Sequence, residues 1–303
     1  MTEKKPKRLG IMTNTHILAQ EFEYLEPKTV EEAAQYLAKH GKKARVIGGG
    51  TDLFVKMKMG EIHPQVLINI SRIPALRYVI EEKGFRLGAL TTFRDLEKSN
   101  AIKEKYTALF EAVRSVSSVQ IKTMGTIGGN LCHGSPAADS APPLIVLGGK
   151  VKLIKDGRER TLPVEEFFVG LGETVLFPEE LLVEIQIPEV AGRTGSAFLK
   201  MGRVAADLPK VSVAVAMVRE GNDCKDCRIA LGSVAKTPLR AKKGEEILKG
   251  KKVTEALIER TGEQVSLEIQ PITDQRSTAW YRKEIAKVMT RDAIKIAWER
   301  AAL

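Results

Sequence analysis

An α+β chain in two parts is the fold this sequence predicts, and three observations carry it. Helix-period and strand-period segments are mixed along its 303 residues, two short glycine-rich segments punctuate them, and the character of the chain changes around residues 192–195. A chain of this length has room for two domains, or for one domain with a substantial cap.

The elements follow in order. Thr29-Val30-Glu31-Glu32 is a capping box, with Thr29 at the N-cap and Glu32 three residues on. Val30, Ala33, Ala34, Leu37 and Ala38 then form one apolar helical stripe, which Gly41 ends. Residues 44–47 read as a short strand running into Gly48-Gly49-Gly50-Thr51-Asp52-Leu53, giving the order helix, strand, glycine turn. Residues 66–70 and 85–89 are strands, Thr92-Phe93-Arg94-Asp95 opens a helix, and a single helix is expected over 101–116. The second glycine segment, Met124-Gly125-Thr126-Ile127-Gly128-Gly129-Asn130, comes next. Pro136, Pro142 and Pro143 keep the following stretch irregular until about residue 143, where a short apolar segment begins, and strands are expected at 151–154 and 182–187. Past the change of character, 211–219 and 228–231 pair over a turn at Gly221. Helical patterns cover 239–248, 254–262 and 277–301, the last with Tyr281, Ile285, Val288, Met289 and Ile296 on its core face.

Bulk properties exclude several classes. Hydrophobic residues make up 43% and charged residues 28%, the balance of a globular protein with a real core. No apolar run approaches the roughly 18 residues of a membrane span, and no apolar stretch follows Lys4, Lys5, Lys7 and Arg8 as a signal peptide would require. A cytoplasmic protein is expected. The net charge of +10 comes from lysines and arginines interleaved with acids, and only 5% of residues are aromatic. That pattern disfavours nucleic acid and fits a solvated surface or a docking face for an acidic partner. The Lys and Glu abundance also fits a thermophile, weakly.

The two glycine segments carry the chemistry. Glycine allows φ > 0 and lets a ligand press against bare N–H groups, which suit phosphate. One such turn serves one phosphate or none; two, each beside a threonine, fit a ligand with two phosphates, a dinucleotide. Neither familiar phosphate motif is present. A P-loop needs Gly-Lys-Ser/Thr where Leu53 and Phe54 stand, and a Rossmann fingerprint needs a small third residue where Leu53 stands. Three cysteines, with Cys224-Lys225-Asp226-Cys227 beside Gly221-Asn222-Asp223 and Cys132 alone, are too few for an iron–sulfur cluster or a structural zinc. The paired cysteines read as hairpin-turn residues.

These pieces together resemble the FAD-binding medium subunit of the molybdenum hydroxylases, the group that includes carbon monoxide dehydrogenase and the flavin domain of xanthine dehydrogenase. The resemblance runs from Phe22-Glu23-Tyr24 to the last helix through both glycine segments, Pro136-Ala137-Ala138-Asp139 and Glu180-Leu181-Leu182-Val183-Glu184-Ile185. It continues in Ala230-Leu231-Gly232-Ser233-Val234-Ala235 and in Asp274-Gln275-Arg276-Ser277-Thr278-Ala279-Trp280-Tyr281-Arg282. It implies an α+β FAD-binding domain of the PCMH type, two subdomains clasping the cofactor, over residues 17–192. A basic extension over 1–16 would precede it, and a smaller C-terminal domain of sheet plus helices over 193–303 would follow.

The resemblance implies that non-covalent FAD is held by Val46, Ile47, Gly48, Gly49, Gly50, Thr51, Asp52 and Leu53 from the first segment and by Thr126, Ile127, Gly128, Gly129 and Asn130 from the second. Val116, Asp139, Leu182 and Lys200 complete the set. The hydroxyls of Thr51 and Thr126 would donate to phosphate oxygens. Asp52 and Asp139 would repel a phosphate, so they accept from ribose hydroxyls or orient the loop amides; Asp52 alternatively caps the helix after the turn. The molybdenum cofactor and [2Fe–2S] clusters would sit on a large and a small partner subunit, in a dimer of heterotrimers, with electrons leaving through FAD and no general acid or base on this chain. Asn130 runs straight into Leu131-Cys132-His133, so the cysteine-rich insert of 4-hydroxybenzoyl-CoA reductase is missing. Lys236 replaces a common proline in a loop, and His133 has no metal partners in sequence. The competing readings are a stand-alone flavin oxidoreductase, which would need a catalytic acid or a flavin attachment point, and a flavin-free scaffold.

Overall fold

The computed structural model describes residues 18, 20–190 and 192–302. The expected basic extension over 1–16, with His16, lies outside the described residues.

Two sheets and a two-stranded ribbon, Phe168–Gly170 with Glu173–Thr174, build the first part. Glu23–Leu25, Val66–Asn69 and Ala44–Ile47 form a parallel sheet in that spatial order. Val30–His40 is the helix of the first crossover, with Thr29 Oγ1 accepting from Glu32 N at 3.2 Å as the capping box predicts. The reciprocal arm shifts by one residue, since Glu32 Oε2 accepts from Lys28 N at 2.6 Å. The second sheet is antiparallel: Val79–Glu81, Gly84–Gly88, Leu181–Pro188, Lys150–Lys155, Arg158–Pro163. Short helices cover it.

The helix expected over 101–116 is two helices, Asn100–Lys105 and Thr107–Ser115, broken at Tyr106. Tyr106 is buried, stacks edge-on against Phe85 at 5.1 Å and donates its hydroxyl to Pro188 O at 2.9 Å. Anchoring this side chain in the core outweighs the continuity of local helix propensity.

The second part is a sheet of Thr194–Met201, Val211–Glu220, Asp223–Gly232 and Leu239–Arg240, with Lys251–Lys252 pairing beside the third strand. Residues 239–240 are therefore strand, and the helix expected over 239–248 is confined to Lys242–Leu248. Helices Glu255–Glu268 and Ala279–Arg300 pack on one face of the sheet. Side-chain alternation explains its burial on both faces. Val211, Val213, Val215 and Met217 enter the core beneath the helices, while Ala214 and Ala216 join the core of the first part.

On the last helix the face toward the core is Arg282, Ala286, Met289, Thr290, Ala293, Ile294 and Ala297. Of the five residues expected there Met289 is buried and Ile285 and Ile296 pack partly buried against the same core, while Val288 is exposed. At its C-terminal end the helix comes too close for larger side chains: a Cβ on Gly195 would overlap Ala297 O. Small residues on the helix meet a glycine on the strand, a match that an apolar stripe does not reveal.

Cys224 and Cys227 are strand residues, not turn residues, and both are fully buried. A register shift opposite Val218 and Arg219 inserts an extra residue between them. That bulge brings positions i and i+3 onto one face, where both thiols join the core beneath the helices.

Candidate functional site

The two glycine segments meet. A Cβ on Gly49 would overlap Met124 O, and one on Gly48 would stand 3.1 Å from Thr126 Oγ1. Their contact forms the floor of a cleft of about 1240 Å³ between the two sheets of the first part and the strand Thr194–Met201. Pockets for drug-sized ligands hold roughly 300–1,000 Å³, so this one suits something larger.

The segments differ in their hydrogen bonding. Strand Ala44–Ile47 enters the first turn, Gly50 takes φ 71°, and helix Leu53–Lys58 leaves it. The order helix, strand, glycine turn expected from sequence is the one that folds, and a short helix follows the turn. The backbone N–H groups of Gly48, Gly49, Gly50, Thr51, Asp52 and Leu53 donate to no acceptor among the described residues. Such a run of amides forms an anion-binding nest.

In the second segment the amides from Ile127 to Asn130 are already used. Ile127 N donates to Thr91 O at 2.9 Å, Gly128 N to Ala89 O at 3.0 Å, Gly129 N to Thr126 Oγ1 at 3.1 Å and Asn130 N to Thr126 O at 2.9 Å. These residues form helix Ile127–Cys132 with Thr126 as its N-cap. Its glycines serve packing: a Cβ on Gly128 would lie 2.7 Å from Ala89 O. The amides of 127–130 are thus not free for a phosphate; the segment buttresses the first one and lines the cleft with Thr126, Gly128, Gly129 and Asn130.

Of the seventeen residues expected at a cofactor, sixteen line this cleft. Val46, Ile47 and Leu53 flank the first turn, Gly129 and Asn130 the second, and Leu182 enters from the bulged strand Leu181–Pro188. Ile127 does not: it is fully buried in the core, because the first turn of its helix points that side chain at the antiparallel sheet. Asp52 occupies the N-cap position of Leu53–Lys58, yet its carboxylate makes no cap bond; it lies 3.8 Å from His133 Nε2.

Lys200 is not an exposed lysine. Its Nζ donates to Asp139 Oδ2 at 2.8 Å and to Ser115 O at 3.2 Å, the residue before Val116. Lys200 comes from the C-terminal sheet and Asp139 from the first part, so the pair ties the two together at the cleft wall. Burial pushes the Asp139 carboxyl up to about 6, and the Lys200 ammonium beside it offsets only part of this. Asp139 Oδ1 is buried with no hydrogen-bond partner. An orphaned acceptor at a cleft wall is a place for a ligand hydroxyl.

Sequence reasoning missed several cleft residues. Lys42, Arg45 and Lys56 add positive charge around the first turn, and Phe177 and Asp207 reach the mouth from distant loops. Phe177 is 57% exposed and carries Arg160 over its ring at 5.4 Å. The lysines near Gly48 were within reach of a charge count; the contributions of Phe177 and Asp207 depend on chain packing that no local pattern encodes. Among the described residues no group of three or more His, Cys, Asp or Glu is arranged to hold a metal ion.

Comparison with known proteins identifies the family. A family described as the FAD binding domain in molybdopterin dehydrogenase matches residues 20–190, and one described as the CO dehydrogenase flavoprotein C-terminal domain matches 196–297. The chain belongs to the FAD-binding medium subunits of the molybdenum hydroxylases.

Among similar medium subunits, the carbon monoxide dehydrogenase medium chain of Hydrogenophaga pseudoflava is 35% identical, over 93% of this chain and 98% of that protein. The glyceraldehyde dehydrogenase medium chain of Sulfolobus acidocaldarius is 32% identical, over 91% and 98%. In structure, a chain of the Hydrogenophaga pseudoflava carbon monoxide dehydrogenase that lacks the Mo-pyranopterin moiety superposes with a TM-score of 0.91, at 35% identity, over 94% of this chain and 99% of that one. The α+β architecture and the FAD cofactor expected from sequence are those of this family. The medium-subunit role also favours electron transfer over a stand-alone flavin oxidoreductase.

Proposed function

We propose that this chain is the electron outlet of a cytoplasmic molybdenum hydroxylase complex, holding FAD without a covalent link in the cleft between its glycine segments. The observation that carries the assignment of the site is the run of unbonded amides at residues 48–53, placed in a cleft large enough for a dinucleotide. Those amides would donate to the pyrophosphate oxygens, with Lys42, Arg45 and Lys56 supplying positive charge nearby. The Thr126 hydroxyl, already accepting from Gly129 N, keeps its own proton to donate. Asp139 Oδ1 would accept from a hydroxyl of the cofactor, and Lys200 holds that carboxylate in place.

FAD bound there supplies the redox chemistry; the protein supplies binding, orientation and electrostatics. The division between the FAD-binding part and the C-terminal part falls near residues 192–193 on this reading. The partners would be a large subunit with the molybdenum cofactor and a small subunit with [2Fe–2S] clusters, arranged as a dimer of heterotrimers. Relatives named for carbon monoxide, glyceraldehyde and caffeine have chains similar to this one, which supports a substrate recognised by the large subunit and not by this chain.

Purification of the chain with its native partners tests the proposal. Flavin, molybdenum and iron in the same particle, at one flavin per copy of this chain, is the expected result. A metal-loaded complex without flavin would refute it.

A further inference from the structure

His133 joins the two glycine segments at the mouth of the cleft. It follows helix Ile127–Cys132, and its amide donates to Gly129 O at 3.0 Å, which fixes its backbone to the second segment. Its ring reaches the first: Nε2 lies 3.8 Å from Asp52 Oδ1. Asp52 belongs to the run of unbonded amides, and its carboxylate has no cap bond, only Thr51 Oγ1 at 3.5 Å. A half-exposed negative charge therefore stands beside the N–H groups that attract an anion. The amides favour a pyrophosphate and Asp52 opposes it.

We propose that His133 is a positioning residue for FAD: protonated, its imidazolium pairs with Asp52 across the cleft and cancels the charge that would repel the pyrophosphate. FAD is then held more tightly when this ring carries its proton. The inference rests on the FAD reading above and adds to it a pH-dependent element.

The other charges around the ring are few. Lys56, on Leu53–Lys58, opposes its protonation; Asp52 and Glu61, after that helix, favour it. On the other side the backbone of Glu173 packs against Gly134, and Asp139 lies on the loop beyond. Burial dominates and holds His133 below its ordinary 6.5, so without an anion the ring is mainly neutral at neutral pH. A bound pyrophosphate adds negative charge and draws a proton onto it. The pyrophosphate diester itself does not titrate there, so the pH dependence belongs to the protein.

FAD titration of the flavin-stripped complex, followed by quenching of flavin fluorescence, tests this with His133→Gln and Asp52→Asn. The wild type should bind about fivefold more weakly near pH 8 than near pH 6, the scale of one partly exposed charge pair. His133→Gln should bind weakly at both, and Asp52→Asn tightly at both. A His133→Gln variant that keeps the wild-type slope would overturn the inference and assign the slope to Asp139. A wild type that binds no FAD at any pH would sink the functional reading as well.

Discussion

The two glycine segments look alike in sequence and do opposite work. In the first, glycines leave backbone N–H groups unbonded in residues that line a cleft. In the second, glycines let a helix start pack against Ala89 while the N–H groups of residues 127–130 are bonded inside the protein. Glycine-rich sequence reports only that the backbone is approached closely. Whether by a ligand or by the rest of the protein is decided by where the amides point.

The largest effect separates the clasp from the interface that closes it. Lys200→Met leaves Asp139 buried without its partner, and breaking a buried pair costs about 3–5 kcal/mol. The sign with pH follows from Asp139. Its carboxyl is raised from 3.8 to about 6 in the folded protein, so the fold prefers the protonated form, and stability from this group falls as pH rises from about 4 to about 6. Loss of Lys200 raises that carboxyl further. Thermal unfolding should therefore show a larger deficit for Lys200→Met near pH 7 than near pH 5; an equal deficit at both would mean that Asp139 does not carry the cost.

Next in size is Gly49→Ala. The new Cβ collides with Met124 O, a backbone atom that moves only with its helix, so a loss of about 1–3 kcal/mol is expected together with loss of FAD. Urea unfolding and flavin content measure the two effects. A stable variant that retains FAD would mean that the segments need not touch.

Thr126→Ala is milder. It removes an N-cap, worth about 1 kcal/mol, from the buttress helix, and with it a hydroxyl donor to the cleft. FAD affinity should fall by less than in Gly49→Ala. Gly50→Ala asks the same of the first segment, where φ 71° costs a non-glycine residue on the order of 1 kcal/mol. If Thr126→Ala weakens FAD binding more than Gly50→Ala does, the roles of the two segments are reversed.

Much of this was legible in the sequence, and the limits are physical. Thr29 and Thr254 mark helix starts because a hydroxyl accepting an amide three residues on is a local interaction. Sixteen cleft residues were reached because family motifs preserve position along the chain. Ile127 was not separable from its neighbours, since a motif records adjacency and not which side of a helix faces a ligand. The break at Tyr106, the small-residue face at Ala286, Ala293 and Ala297, and the bulge that gathers Cys224 and Cys227 each answer a partner far along the chain. So does the contact between Asp52 and His133, whose elements are distant in sequence and meet only where the glycines permit.

Backbone hydrogen–deuterium exchange with and without FAD tests the contrast between the segments most directly. The amides of residues 48–53 should exchange rapidly in the flavin-free chain and become protected when FAD binds, while those of 127–130, already bonded, change little. Protection gained at 127–130 with none at 48–53 would contradict the account.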